Sequence, residues 1–164
     1  MKKLVACLLS VATMVATLYT PAFAYEGQPL GRNVAYNRTV NVSNSFNTNE
    51  YNKPDFLTDG NLERGYQTAR VSSNKDNPYE DPQTWSMDLG RSYEIDKVVL
   101  YWENAAAKKY KIYVSENKTD WMEVASEEAG EKGRFKYDFA PTNARYVKIE
   151  LEERTMEIYG YCMY

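Results

Sequence analysis

Histidine is absent from the 164 residues of this chain, which at once narrows the chemistry open to it. Neither a Ser-His nor a Cys-His pair can be built, and a zinc centre loses its commonest ligand. There remain 23 Asp and Glu. Hydrolysis by paired carboxylates needs two of them facing each other across a cleft, and no motif singles out such a pair. The acid that does stand out is Glu103, which follows the apolar run Val98-Val99-Leu100-Tyr101-Trp102. In an extended chain Val98, Leu100 and Trp102 point one way while Val99, Tyr101 and Glu103 point the other. The carboxylate therefore emerges as the strand leaves the core, a natural place for a ligand contact. So continuous an apolar run predicts a central strand with packed protein on both faces.

The elements that must position this acid lie in the mature chain. Lys2 and Lys3, the mostly apolar run from Leu4 to Leu18 and Ala22-Phe23-Ala24 read as a signal peptide over residues 1–24, so that residues 25–164 form one secreted domain. A lipoprotein anchored at Cys7 is the alternative, but it would leave almost no apolar run before that cysteine. Without the leader, two lysines and no acids are lost, and the net charge moves from -3 to about -5. That balance, with no basic stripe, argues against nucleic acid and against anionic membrane surfaces. Only Cys162 is then left, so no internal disulfide is available and the domain must stand on a hydrophobic core.

Periodicity assigns the strands. A candidate strand spans 33–42, and Trp85, Met87 and Leu89 alternate with Ser86 and Asp88 before Gly90 ends the run. Tyr110, Ile112 and Val114 alternate likewise, and a turn around Asn117 leads to a returning strand from Trp121 to Ala125. Phe135, Tyr137 and Phe139, then Val147, Ile149 and Leu151, continue the pattern. Helical periodicity never persists. Short strands between polar loops predict an all-β antiparallel sandwich.

Six pieces, in order, carry a resemblance: Asp59-Gly60, Trp85-x-x-Asp88-Leu89-Gly90, Trp102-Glu103-x-Ala105-x-x-Lys108-x-Tyr110, Val114-Ser115 with Thr119-x-Trp121, Ala144-Arg145-Tyr146-Val147, and Tyr159-Gly160-Tyr161. From about Gly31 onward the chain resembles the coagulation-factor type C or discoidin domain, and within it the family 32 carbohydrate-binding modules of bacterial secreted proteins. The resemblance implies a jelly-roll-like, galactose-binding-domain-like sandwich that binds glycans through loops at one end and is not an enzyme. Three departures accompany it. Arg64 and Tyr66 stand where the family has Thr and Trp, the histidine common in galactose binders is absent, and the family's closing strand, which begins with a Glu after Tyr159-Gly160-Tyr161, has no counterpart before Tyr164. The sandwich is thus expected to lack that last strand and to leave an unpaired edge, prone to poor stability or association.

The same resemblance implies candidate roles. A pyranose needs charged or amide partners for its hydroxyls and an aromatic plane for its C–H face. Glu103 and Arg70 could supply the first, Tyr159 and Tyr79 the second. Trp102 is a candidate too, although sharing a face with Val98 and Leu100 favours the core. Asp59, Asn61 and the Phe56 carbonyl match part of the family's structural calcium site; the Thr and Glu ligands are missing, and Arg64 brings a positive charge where a ligand is expected. A few hydroxyl hydrogen bonds and one stack, at about 1 kcal/mol each, give dissociation constants on the order of 0.1 to 1 mM. Such weak binding works through avidity, by repetition on a surface or by tethering to a larger secreted protein. The alternatives are an extracellular protein-binding adhesion domain and a fragment of a multimodular glycoside hydrolase. A membrane-binding discoidin domain would show apolar spikes beside Lys or Arg, but the loop tips at 44–49 and 72–81 are polar and neutral to acidic.

Overall fold

A computed structural model describes residues 31–43, 53–62, 69–71, 81–157 and 159–164, with 69–71 described by their backbone alone. The expected leader at 1–24, Arg64, Tyr66, Tyr79 and the side chain of Arg70 lie outside the described residues. Seven strands follow one another: β1 (Val40–Val42), β2 (Ala69–Val71), β3 (Gln83–Trp102), β4 (Ala107–Ser115), β5 (Met122–Glu127), β6 (Gly133–Arg154) and β7 (Tyr161–Met163). A short 3-10 helix, Pro54–Leu57, separates β1 from β2.

Two long strands organise everything else. β3 and β6 pair antiparallel almost from end to end, from Gln83 opposite Leu151 to Trp102 opposite Gly133. A straight strand would place Trp85 and Trp102 on the order of 55 Å apart, yet their rings lie 5.6 Å from each other. The ribbon is therefore folded back on itself. The register shows where: residues 89–92 of β3 lie opposite the single Arg145, and residues 139–141 of β6 lie opposite the single Asp96. Extra residues on one strand bend the ladder, as β-bulges do.

Folding the ribbon makes two layers. The N-terminal arm of β3 and the C-terminal arm of β6 carry β1 on one side and the β4–β5 hairpin on the other. The remaining arms carry β7, and beyond it β2. This is an all-β antiparallel sandwich. Its alternating apolar positions face inward: Trp85, Leu89, Ile112, Val114, Val147, Ile149 and Leu151 from the first layer meet Leu100, Trp102, Phe135 and Tyr137 from the second. Aromatic rings bridge the layers, with Trp102 5.4 Å from Tyr110 and Tyr110 edge-on to Tyr137 at 6.1 Å.

The expected strand over 33–42 shrinks to Val40–Val42, because 34–37 form a turn. Val99 and Tyr101 are half-buried, not enclosed, so the central strand is packed on one face and partly open on the other. Arg134 lies over the outer side of Tyr101. At the chain's end, Tyr161–Met163 is paired with β2 throughout and with β3 at Trp102. Farther along β3, residues 97–101 have β6 on one side and no strand on the other among the described residues.

The fold of the ribbon is held by a charge pair that the motifs place 57 residues apart. Arg145 donates from Nε to Asp88 Oδ1 and from Nη2 to Oδ2, both at 2.9 Å, and the Gly90 N–H donates to Oδ1 at 2.7 Å. Gly90 takes φ +87°, a left-handed conformation suited to glycine, as the chain turns. The bond from Arg145, then that from Gly90, lowers the Asp88 carboxyl to about 2. A lowered carboxyl stabilises the fold above its unfolded pKa near 4 and loses that contribution as pH falls through about 2. The urea midpoints of the native chain and Asp88→Asn are thus expected to differ at pH 6 and to converge between pH 4 and 2. A difference that persists at pH 2 would show that the carboxylate charge is not what Asp88 contributes.

Candidate functional site

β7 draws the candidate residues to one end of the sandwich. Glu103 follows the last residue of β3, and its backbone N–H donates to the Cys162 carbonyl at 3.1 Å. Cys162 in turn donates to Ala105 O at 2.8 Å and pairs with Arg70 on its other side. The backbones of Glu103, just past β3, and of Arg70 in β2 thus stand on either side of Cys162 in β7. Tyr159 precedes β7 and is 49% exposed.

Glu103 is held on a rigid loop. Its Oε2 accepts from the Ala105 N–H at 3.2 Å, and Ala105 and Ala106 are buried beneath it. Thr155 ties the loop to the end of β6: its N–H donates to Ala106 O at 3.0 Å, and its hydroxyl donates to Asn104 O at 3.2 Å. Burial, and next the negative charge of Glu103, push the Tyr164 phenol up.

Glu103 differs from the acids on the strands around it in having no cation beside it among the described residues. Asp81 is engaged by Arg154 and by the Tyr161 hydroxyl, whose distances to Oδ1 are both 2.6 Å. Glu153 pairs with Lys108 and Lys109, Glu152 with Lys111, Glu150 with Lys148, and Asp88 with Arg145. Among the described residues no Lys or Arg pairs with Glu103. A half-buried carboxylate without a counter-charge is poised to accept from hydroxyl or ammonium donors of a ligand.

Trp102 is a correction to the candidate set. At 1% exposure, stacked among Trp85 and Tyr110, it has no face left for a ligand. The alternation that turns Glu103 outward turns Trp102 inward. Sequence reading missed the Asp81–Arg154–Tyr161 cluster, where Arg154 also donates from Nη1 to Tyr159 O at 3.1 Å and so fixes the backbone beside the exposed Tyr159. Nothing local could have found it, because Asp81 and Arg154 are separated by most of β3 through β6.

A hydrogen bond within the loop closes it around Asp59. Asp59 Oδ1 accepts from the Asn61 N–H at 2.8 Å, across Gly60 at φ +74°. Phe56 lies in the 3-10 helix just before it. Calcium takes six to eight oxygens, and no group of three or more His, Cys, Asp or Glu able to hold a metal occurs among the described residues. Asp59, Asn61 and the Phe56 carbonyl alone fall short of a calcium cage.

The profile of the F5/8 type C domain matches residues 39–164. The chain belongs to this family. Among solved structures, this F5/8 type C domain is similar to chitosan-binding module 1 of a chitosanase/glucanase from Paenibacillus sp. IK-5, at 27% identity and a TM-score of 0.69, covering 80% of this chain and 94% of that one. Module 2 of the same enzyme, solved with chitotriose, is 28% identical at a TM-score of 0.67, covering 80% and 95%. A family 32 carbohydrate-binding module of Clostridium perfringens, solved with GalNAc-β-1,3-galactose, shares the fold at 20% identity and a TM-score of 0.61, covering 78% and 95%. No curated protein is similar enough to this F5/8 type C domain to count as a match.

Proposed function

We propose that this F5/8 type C domain is a secreted, non-catalytic module that binds glycans rich in free amino groups, of the chitosan type. The observation that carries the reading is Glu103, a half-buried acid without a cation among the described residues, on a loop that Thr155 ties to the connection carrying the exposed Tyr159. A glucosamine unit bears an ammonium group suited to that carboxylate and a C–H face suited to the Tyr159 ring. The two modules of the Paenibacillus enzyme, described as chitosan-binding, support the same class of ligand. Secretion is supported by the basic and then apolar first residues and by Ala22-Phe23-Ala24. A binding role without catalysis is supported by the absence of histidine and by the engagement of Asp81, Glu150 and Glu153 in ion pairs.

Calorimetric titration with glucosamine trimer, N-acetylglucosamine trimer and galactose tests this reading. The expected result is binding of the glucosamine trimer with a dissociation constant on the order of 0.1 to 1 mM, and about tenfold weaker binding of the acetylated trimer. Chelation is expected to leave the affinity unchanged; its loss would assign a metal to the site. Equal affinity for all three sugars would remove the amino group from the recognition. No binding by the folded chain would favour protein adhesion.

A further inference from the structure

Two consecutive residues at the end of β6 hold both halves of the candidate site. Thr155 reaches the loop that carries Glu103. Its N–H donates to Ala106 O at 3.0 Å, and its hydroxyl donates to the pair of carbonyls Ala106 O, at 3.0 Å, and Asn104 O, at 3.2 Å. Arg154 reaches the connection that carries Tyr159, donating from Nη1 to Tyr159 O at 3.1 Å. The guanidinium is itself fixed. Its Nε and Nη2 donate to the two oxygens of Asp81 at 3.0 and 2.6 Å, it lies 4.9 Å from the centre of the Tyr161 ring, and its side chain is 7% exposed. Strand pairing anchors the end of β6 from behind, with Arg154 opposite Ala107 of β4.

The two ties differ in what they contribute to the fold. Arg154 is enclosed, and removing it would strip Asp81 of a charge-assisted fork. Thr155 is exposed. Without its hydroxyl, Ala106 O would keep the Thr155 N–H, and the exposed Asn104 would turn its carbonyl to water. The strands lose nothing by that change, whereas the Glu103 loop loses a fastening. A binding group acts at full strength only when neighbours hold it within a fraction of an ångström of its partner. We infer that Arg154 and Thr155 are positioning residues for glycan recognition. Thr155 sets the place of the Glu103 carboxylate, Arg154 sets that of Tyr159, and their adjacency on one strand end fixes the acid and the ring relative to each other. The inference rests on the proposed glycan site. It adds that loosening either tie weakens binding although neither residue touches the sugar.

The test is a pair of double-substitution cycles in the full chain, read by calorimetry with the glucosamine trimer. Thr155→Val keeps the shape and the backbone N–H and removes the hydroxyl. It is expected to weaken binding about fivefold and to speed amide exchange at Ala105, with the urea midpoint unchanged. Thr155→Ser is expected to restore the native affinity. Beside Glu103→Gln, Thr155→Val should change affinity by less than about twofold, because the charge that it positions is already gone. Arg154→Lys keeps a cation for Asp81 and loses the fork; it should weaken binding about fivefold alone and less than about twofold beside Tyr159→Ala. If Arg154→Lys does not fold, the Thr155 cycle decides. Native affinity or unchanged Ala105 exchange in Thr155→Val would overturn the inference and leave the glycan reading standing, as would a fivefold loss that persists beside Glu103→Gln. A folded native chain that binds no glucosamine trimer would overturn both together.

Discussion

Glu103→Gln is expected to weaken binding of the glucosamine trimer about 10- to 100-fold while leaving the fold intact. A hydrogen bond to a charged group contributes about 1.5 to 3 kcal/mol, and each 1.4 kcal/mol is a factor of ten. Gln suits the test because its side-chain oxygen can still accept from the Ala105 N–H, as Glu103 Oε2 does now at 3.2 Å. The loop keeps its internal bond and loses only its charge. The N-acetylated trimer, which carries no ammonium group, should lose much less. Calorimetry on both variants with both sugars reads the difference directly. Unchanged affinity for the glucosamine trimer in Glu103→Gln would place the binding site elsewhere on the sandwich.

Trp102→Ala, one residue away, is expected to do the opposite. Removing a buried tryptophan costs about 3 to 5 kcal/mol, a large share of the 5 to 15 kcal/mol that typically separates folded from unfolded domains. The side chain is 1% exposed and touches rings from the other layer at 5.4 and 5.6 Å, so its loss leaves a cavity that the folded ribbon cannot close. A urea titration followed by circular dichroism should show a strongly lowered midpoint, with Trp102→Phe intermediate. If Trp102→Ala kept its midpoint and lost glycan affinity, the residue would belong to the site and not to the core. The two substitutions thus separate recognition from stability across a single peptide bond.

That contrast between neighbours was readable in advance, since alternation along an extended chain turns Trp102 and Glu103 to opposite sides. The same period of two located the arm of β3 with Trp85 and Leu89, although Gly90 bends that strand and does not end it, and also the hairpin of β4 and β5 and the inward rows of Phe135 with Tyr137 and of Val147, Ile149 and Leu151. The ordered motifs carried the family, which the match over residues 39–164 shows. All of this is local: hydrophobic period, turn residues and short motifs are properties of a few consecutive positions.

Tertiary structure alone decided what lies between distant positions. Period-two alternation cannot announce that a strand of the length of β3 will fold over, so the approach of Trp85 to Trp102 was invisible, as was the pairing of Asp88 with Arg145 that braces the bend. Val99 and Tyr101 read as enclosed because apolar residues surround them in sequence. They are half-buried because, among the described residues, no layer packs on that side of their arm. The site shows the same division. Glu103 was recognisable as an acid at a strand end, but which acids meet a cation depends on where the Lys and Arg come to rest, and that is set by strand pairing. Arg70 and Glu103 come to flank β7 only because β7 inserts between β2 and β3. The sequence by itself determined which residues face inward and which family they build; long-range pairing, whose free energy no local stretch contains, decided which of the outward ones meet.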